Sequence, residues 1–237
     1  MKKIFLILLF TTSIFAQSSK MLLLMGDEYQ ALTITASTAN YIIDDGGTLQ
    51  YFEIAGTAGK TLKVDWGDGT VSQITLTGVT TNQRLAKTYA SAGIYNVKIY
   101  GWNYLTKIRW QSWNAGNFNI NDSPESLTYL SLASMGANIK GSINNCPAGL
   151  KTLILTNIGT NVTYDSPHLW SSELDFISLR YLGFGQTTID NILCDIANSN
   201  NLAGARTLNL TNNAAPSATG AVCKTTLQGQ GWTVTTD

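Results

Sequence analysis

The chain contains 237 residues, of which 44% are hydrophobic and only 13% are charged. The hydrophobic share is enough for a packed core and excludes a wholly disordered chain. The 15 basic and 15 acidic residues cancel, which argues against a nucleic-acid binder because such a protein needs a strongly basic face. A single histidine and few carboxylates leave little material for acid–base catalysis, so we expect no enzymatic activity.

The N-terminus has the pattern of a secretory signal peptide over residues 1–16. Two lysines precede an apolar run at residues 4–16, and Ser13 and Ala16 are the small residues of a cleavage site. The run has 13 residues, whereas a helix needs about 20 to span a bilayer. We therefore expect export to the extracellular space or cell surface, with no transmembrane span after the signal is removed.

Residues 17–47 are predicted to be an extended N-terminal segment, and residues 48–101 a set of short strands. Apolar and polar residues alternate at residues 49–54, 62–66 and 94–100. A Gly-Asp-Gly-Thr turn at residues 67–70 follows the second of these strands. Several short strands at this spacing are typical of a small antiparallel β-sandwich.

Two stretches of this region resemble the signature of the PKD (polycystic kidney disease) domain. They are residues 64–70, V-D-W-G-D-G-T, and residues 87–97, in which K-T-Y is followed by G-x-Y-x-V. The match departs from the family at Lys87, where the family usually has histidine. The resemblance implies an extracellular immunoglobulin-like sandwich that acts as a spacer or binding module, with Tyr89 packed against Tyr95.

The turn also contains the candidate metal ligands. Asp65 and Asp68 carry the hard oxygen atoms that calcium prefers, although bracing of the turn by these side chains is the favoured interpretation. The sequence has no Cys-x-x-Cys pair and no His/Cys cluster, so zinc is not expected. We expect no cofactor.

From residue 105 an L-x-x-L-x-L pattern recurs five times. The copies begin at Leu105, Leu127, Leu150, Leu174 and Ala205, at spacings of 22, 23, 24 and 31 residues. This pattern and period resemble leucine-rich repeats. One copy cannot bury its apolar edge alone, whereas stacked copies share a core. The resemblance implies a parallel β solenoid over residues 102–237.

The residue three positions after each copy supports this register. These residues are Trp113, Met135, Ile158, Leu182 and Asn213, of which four are apolar. Only Asn213 matches the asparagine that leucine-rich repeats usually place in the core, so the regular ladder of buried asparagines is expected to be mostly absent.

Two helices and a strand are predicted near the C-terminus. A capping-box pattern at residues 187–190 precedes apolar residues at helical spacing through Ile196. Pro216 and Ser217 open a second helix that extends through Gln228, and residues 232–234 form a last strand. This ending is similar to the terminal segments of leucine-rich surface proteins from Bacteroidetes and their phages, which implies a cap over the open edge.

The chain has three cysteines, Cys146, Cys194 and Cys223. An odd number in a long chain does not indicate a disulfide scaffold. Cys194 and Cys223 lie on the two helical patterns and could pair, and buried free thiols are the alternative.

Residues that alternate with the inward leucines are expected to line one outward face. The candidate partner-binding residues on this face are Lys107, Arg109, Tyr129, Ile154, Phe176 and Arg180. Three of them offer apolar contact and three offer positive charge. The alternative is an ordinary solvated sheet face, rich in threonine because threonine suits strands.

The remaining aromatic residues and the histidine give no catalytic pattern. Trp110 and Trp113 occupy inward positions and are expected in the core, whereas Trp170 lies in an insertion beside His168 and is the better candidate for exposure. No Gly-x-Ser-x-Gly turn accompanies His168.

We therefore predict a non-enzymatic recognition or adhesion protein that binds a protein or glycan on a cell or particle surface. One alternative is a structural or receptor-attachment protein of a phage virion. Another is an accessory binding module of a secreted enzyme system. The sequence does not predict the oligomeric state.

Overall fold

The computed structural model of the chain describes residues 31–37, 48–90, 94–111, 118–133, 139–199 and 204–237. Within these residues the fold is mainly β, with antiparallel and parallel sheets and two α-helices near the C-terminus. This confirms the mainly β fold class. The predicted signal peptide, Trp113 and Met135 lie outside the described residues.

The strands are β1 Ala31–Ser37, β2 Thr48–Gly56, β3 Thr61–Asp65, β4 Val71–Thr75, β5 Gln83–Tyr89, β6 Ile94–Tyr100, β7 Leu105–Gln111, β8 Phe118–Asn119, β9 Tyr129–Ala133, β10 Ile139–Ser142, β11 Thr152–Thr156, β12 Val162–Thr163, β13 Phe176–Arg180, β14 Arg206–Asn209 and β15 Trp232–Thr235. The helices are α1 Gln186–Asn198 and α2 Ala218–Gly229.

A four-stranded antiparallel sheet has the order β1-β6-β3-β4. Its alternating sequence buries Leu62 and Val64 of β3 and leaves Lys63 between them exposed, because successive side chains of a strand point to opposite faces. Strand β1 pairs with β6 along its whole length. The antiparallel region therefore includes a strand from the predicted extended segment, residues 17–47.

An eight-stranded sheet has the order β15-β14-β13-β11-β9-β7-β2-β5. Its strands are parallel from β7 to β15, whereas β2 is antiparallel to both β5 and β7. The pairing of β2 with β7 makes one sheet continuous across residue 102, the predicted boundary between the two units.

The repeated leucines lie in register across the parallel strands. Leu130, Leu153, Ile177 and Leu208 occupy equivalent positions on β9, β11, β13 and β14, and none exposes any measurable surface. Each strand alone presents one apolar edge, and the next strand covers it. Ile108 on β7 occupies the same position, so each of the five predicted repeats supplies one residue to this row of the core.

Strands β8, β10 and β12 form a second, three-stranded parallel sheet. They follow β7, β9 and β11, respectively, in the sequence. Each of β8 and β10 leads into a 3-10 turn, Ile120–Asp122 and Ile143–Asn145, whose first residue is buried. Asn121 Oδ1 accepts a hydrogen bond from the backbone N–H of Ser142 at 3.0 Å. One repeat is thus tied to the next by an asparagine side chain.

The same kind of bond recurs one repeat later. Asn144 Oδ1 accepts the backbone N–H of Asp165 at 2.9 Å, and Asn144 Nδ2 donates to the carbonyl of Asp165 at 2.6 Å. At the C-terminal end, Asn213 Oδ1 accepts the N–H groups of Leu182 and Phe184. These amides satisfy backbone groups that the sheets leave unpaired.

The apolar face of α1 is buried as predicted, but the prediction of a capping box at its start is wrong. The helix begins after Gly185 without a side-chain cap. Asp190 instead accepts hydrogen bonds from the backbone N–H and hydroxyl of Ser217, the residue that caps α2. Its carboxylate joins the two helices and is not available to the first turn of its own helix.

Cys194 of α1 and Cys223 of α2 form a disulfide, the first of the two alternatives that the sequence left open. Cys146, also among the described residues, is a free cysteine. No helix in the described ranges combines the length and apolar character needed to cross a membrane.

Candidate interaction surface

The outward residues of the parallel strands lie in rows because the strands share one register. Neighbouring strands are about 4.8 Å apart, so residues of one row lie side by side. The first row contains Lys107, Tyr129, Thr152, Phe176 and Thr207, and the second contains Arg109, Ser131, Ile154, Ser178 and Asn209. We call these two rows the outward face.

The apolar candidates are accessible to different degrees. Phe176 exposes 37% of its surface, whereas Tyr129 and Ile154 are partly buried. In the second row, Ser131 and Ser178 lie on either side of Ile154 and are buried, so they offer no surface to a partner. Contact with a partner would therefore centre on the first row and on Ile154.

The three basic candidates are placed differently. Lys107 lies with its Nζ atom 4.4 Å from the centre of the Tyr129 ring, so this cation and this ring form one unit. Arg109 is engaged by Glu53 of β2, with 3.0 Å between Nη1 and Oε2. Arg180 donates from Nε to the hydroxyl of Thr211 at 3.1 Å and lies against the Tyr181 ring.

The structure thus brings Lys107, Tyr129, Thr152 and Phe176 together in one row, with Ile154 beside them. Arg109 and Arg180 flank this group and are held by other residues. The result is a shallow face with aromatic, hydroxyl and ammonium groups, which suits a large partner better than a small molecule.

A cavity of about 420 Å³ lies elsewhere, lined in part by Cys146, His168 and Trp170. The prediction that Trp170 is exposed is wrong, because only 6% of its surface is accessible. Its ring stacks on Tyr164 with 5.7 Å between centroids, and its Nε1 donates to the Tyr164 hydroxyl at 3.1 Å.

Burial at this cavity disfavours the charged forms of Cys146 and His168. Burial raises the pKa of the Cys146 thiol to about 12, so the nucleophilic thiolate is not formed at neutral pH. Burial lowers the pKa of His168, an effect that the Asp195 carboxylate opposes. The same carboxylate accepts the Tyr164 hydroxyl at 2.7 Å. These hydrogen bonds tie the loop that contains Tyr164 and His168 to Asp195 of α1.

Asp65 and Asp68, the candidate calcium ligands, brace the turn at residues 67–70. Asp65 Oδ1 accepts the N–H of Gly67, and Asp68 Oδ1 accepts the N–H of Thr70, both at 3.0 Å. Asp68 Oδ2 also forms an ion pair with Lys87 at 2.8 Å. In the part of the chain that the structure describes, no group of three or more His, Cys, Asp or Glu residues could hold a metal.

The ion pair should make stability depend on pH. Lys87 holds the pKa of Asp68 at about 2, below its ordinary value of 3.8. Because the folded-state pKa is the lower one, the stabilisation is complete above pH 3.8 and is lost as the pH falls through 2. We expect Lys87→Met to remove up to about 1 kcal/mol of the free energy of unfolding at pH 5.

The measurement is urea unfolding of both proteins at pH 5 and pH 2. The difference between wild type and Lys87→Met should shrink at pH 2, where Asp68 is becoming protonated. Asp68→Asn serves as the control, since Lys87→Met should cost little in that background. A difference that is equal at both pH values would contradict the assignment.

In comparisons with protein-family models, with curated proteins and with solved structures, no match to the chain was found.

Proposed function

We propose that the chain is an exported, non-enzymatic recognition protein that binds a protein or glycan on a cell or particle surface. The outward face makes the contact. The observation that carries the proposal is the alignment of Tyr129 and Phe176, which lie in one row on either side of Thr152. Aromatic side chains held on rigid strands provide large contact areas at a low cost in conformational entropy.

The proposal gives the two regions separate tasks. The parallel strands act as a leucine-rich solenoid, and their in-register core residues support a broad, rigid face. The antiparallel strands act as a PKD-like sandwich that spaces or orients this face. Two features support the sandwich, namely the aspartate-braced turn and the stacking of Tyr89 on Tyr95 with 4.0 Å between ring centroids.

The test is binding of the labelled full chain to a glycan array and to intact Bacteroidetes cells. We expect the Tyr129→Ala/Phe176→Ala double variant to bind at least about tenfold more weakly than wild type, because aromatic anchors dominate interface energies. Leu169→Ala is the matched control, since Leu169 exposes 81% of its surface and lies outside the two rows.

Equal binding by the double variant and the wild type would remove the outward face as the contact surface. Wild-type protein that binds neither the array nor the cells would contradict the proposed function itself. Circular dichroism and thermal unfolding of each variant establish that its fold is retained.

A further inference from the structure

A concave surface that shares no residue with the outward face is formed by β3, β4, β6 and the loops that adjoin them. It is a groove of about 380 Å³, lined chiefly by Lys60, Lys63, Gln73, Tyr100 and Tyr104, with Thr61 and two glycines completing it. The described lining residues include two lysines and no acidic residue. We call it the lysine groove.

Aromatic rings position both lysines. Lys63 on β3 lies opposite Tyr100 on β6, and its Nζ atom is 5.5 Å from the centre of that ring. Lys60 lies with its Nζ atom 4.7 Å from the centre of the Tyr104 ring. Such contacts hold an ammonium in place without neutralising its charge.

Neither ammonium forms an ion pair with a carboxylate in the described part of the chain. In the described ranges, ion pairs that include those of Lys87, Arg109 and Lys151 engage other cations, and Lys60 and Lys63 are in none of these three. Among the residues that the structure describes, two positive charges therefore meet at one groove, and the lining contains no carboxylate. The chemical complement of this arrangement is an anion.

The backbone around the groove is fixed before any ligand arrives. The Tyr104 N–H donates to the carbonyl of Gly101 at 3.1 Å, and the Tyr104 carbonyl accepts the N–H of Thr57 at 3.0 Å. The Lys60 carbonyl accepts the N–H of Leu76 at 2.7 Å. A ligand would find these groups already positioned, which lowers the entropy cost of binding.

We infer that the lysine groove binds an acidic sugar unit, a uronate or a sulfated hexose, within a polysaccharide chain. The ammonium groups would pair with the carboxylate or sulfate. The amide of Gln73 and the hydroxyl of Thr61 would exchange hydrogen bonds with sugar hydroxyls.

The lining favours this ligand over other polyanions. None of the described lining residues has an aliphatic side chain, so they offer no pocket for the apolar side chains of an acidic peptide. Two lysines are also too few for a nucleic acid, whose binding requires neutralisation of many phosphates. The volume lies at the lower end of the range for small-ligand sites, which suits a short stretch of sugar.

The test measures binding of the full chain to four polymers by biolayer interferometry. Polygalacturonate presents carboxylates, dextran sulfate presents sulfate esters, dextran is the neutral sugar and poly-L-glutamate is the acidic peptide. We expect binding to one or both acidic polysaccharides and none to dextran. Raising the salt from about 50 to about 500 mM should weaken the binding because it screens exposed charges.

A charge-matched pair of variants locates the site. Lys60→Met/Lys63→Met should weaken binding at least about tenfold. Lys140→Met/Lys151→Met has the same net charge, and because Lys140 and Lys151 are exposed, lie among the parallel strands and are outside the groove, it should bind as wild type does. The Tyr129→Ala/Phe176→Ala variant should also retain binding, which separates this proposal from the one for the outward face.

Three results would overturn the inference. The first is absence of binding to both acidic polysaccharides. The second is an equal loss of binding in the two lysine variants, which would indicate attraction by overall charge. The third is binding of poly-L-glutamate as tight as that of the polysaccharides, which would assign the groove to acidic peptides.

Discussion

Replacing Leu155 with alanine is expected to lower the free energy of unfolding by about 3–5 kcal/mol. Leu155 is fully buried and lies in register between Leu132 of β9 and Leu179 of β13. The neighbouring strands cannot close the gap, because their spacing is fixed by backbone hydrogen bonds. The variant therefore loses the transfer energy of the side chain and keeps a cavity. Denaturant unfolding followed by circular dichroism measures the change.

Ile154→Ala is the matched control for this prediction. Ile154 is the preceding residue on β11, lies on the outward face and is partly exposed, so its loss should cost less than about 2 kcal/mol. Equal costs for the two substitutions would mean that Leu155 is not part of a closed core.

Loss of the disulfide is the second large effect that we expect. The bond joins residues 29 positions apart, and a loop of this length corresponds to about 3–4 kcal/mol through its restriction of the unfolded chain. The double variant Cys194→Ser/Cys223→Ser should therefore unfold at a markedly lower denaturant concentration. The C-terminal helices and β14 between them should be the first to lose protection from hydrogen exchange.

Reduction provides an independent check. Dithiothreitol should lower the stability of wild type close to that of the double variant and leave the double variant unchanged. Wild-type stability that does not respond to complete reduction would show that the bond contributes nothing to the fold.

The parallel ladder was the most predictable part of the fold. The L-x-x-L-x-L pattern predicts which residues point into the core, and Leu153 and Leu155 are both buried as it predicts. The rows of the outward face follow from the same alternation. Such patterns are local, and each copy repeats the information of the last.

The pairings that the sequence did not reveal join distant residues. Strand β2 pairs with β7, and no local feature of either strand specifies the other as its neighbour. Arg109 was predicted as a partner-binding residue, but it is paired with Glu53, which is 56 positions away in the chain. The burial of Trp170 also depends on a distant residue. Trp170 bonds the Tyr164 hydroxyl, and that hydroxyl is held by Asp195, which is 31 positions from Tyr164.

The asparagine bonds between repeats could have been found. Ile-Asn recurs at Ile120 and Ile143, 23 positions apart, and proline follows four residues after each isoleucine. An interpretation based only on leucines overlooked this second periodic signal. The lysine groove had no such signal, because Lys60, Lys63, Tyr100 and Tyr104 meet only when β3 and β6 pair.

The central claim is that the repeated strands stack in one register, and distances between spin labels test it most directly. Lys107, Thr207 and Thr233 lie in the first row or its extension onto β15, and Cys146→Ser removes the free thiol. With about 4.8 Å between strands, labels at 107 and 207 should be about 19 Å apart and labels at 107 and 233 about 24 Å apart. The stacked register would be contradicted if the 107–233 distance were no longer than the 107–207 distance, or if both distances were about twice these values.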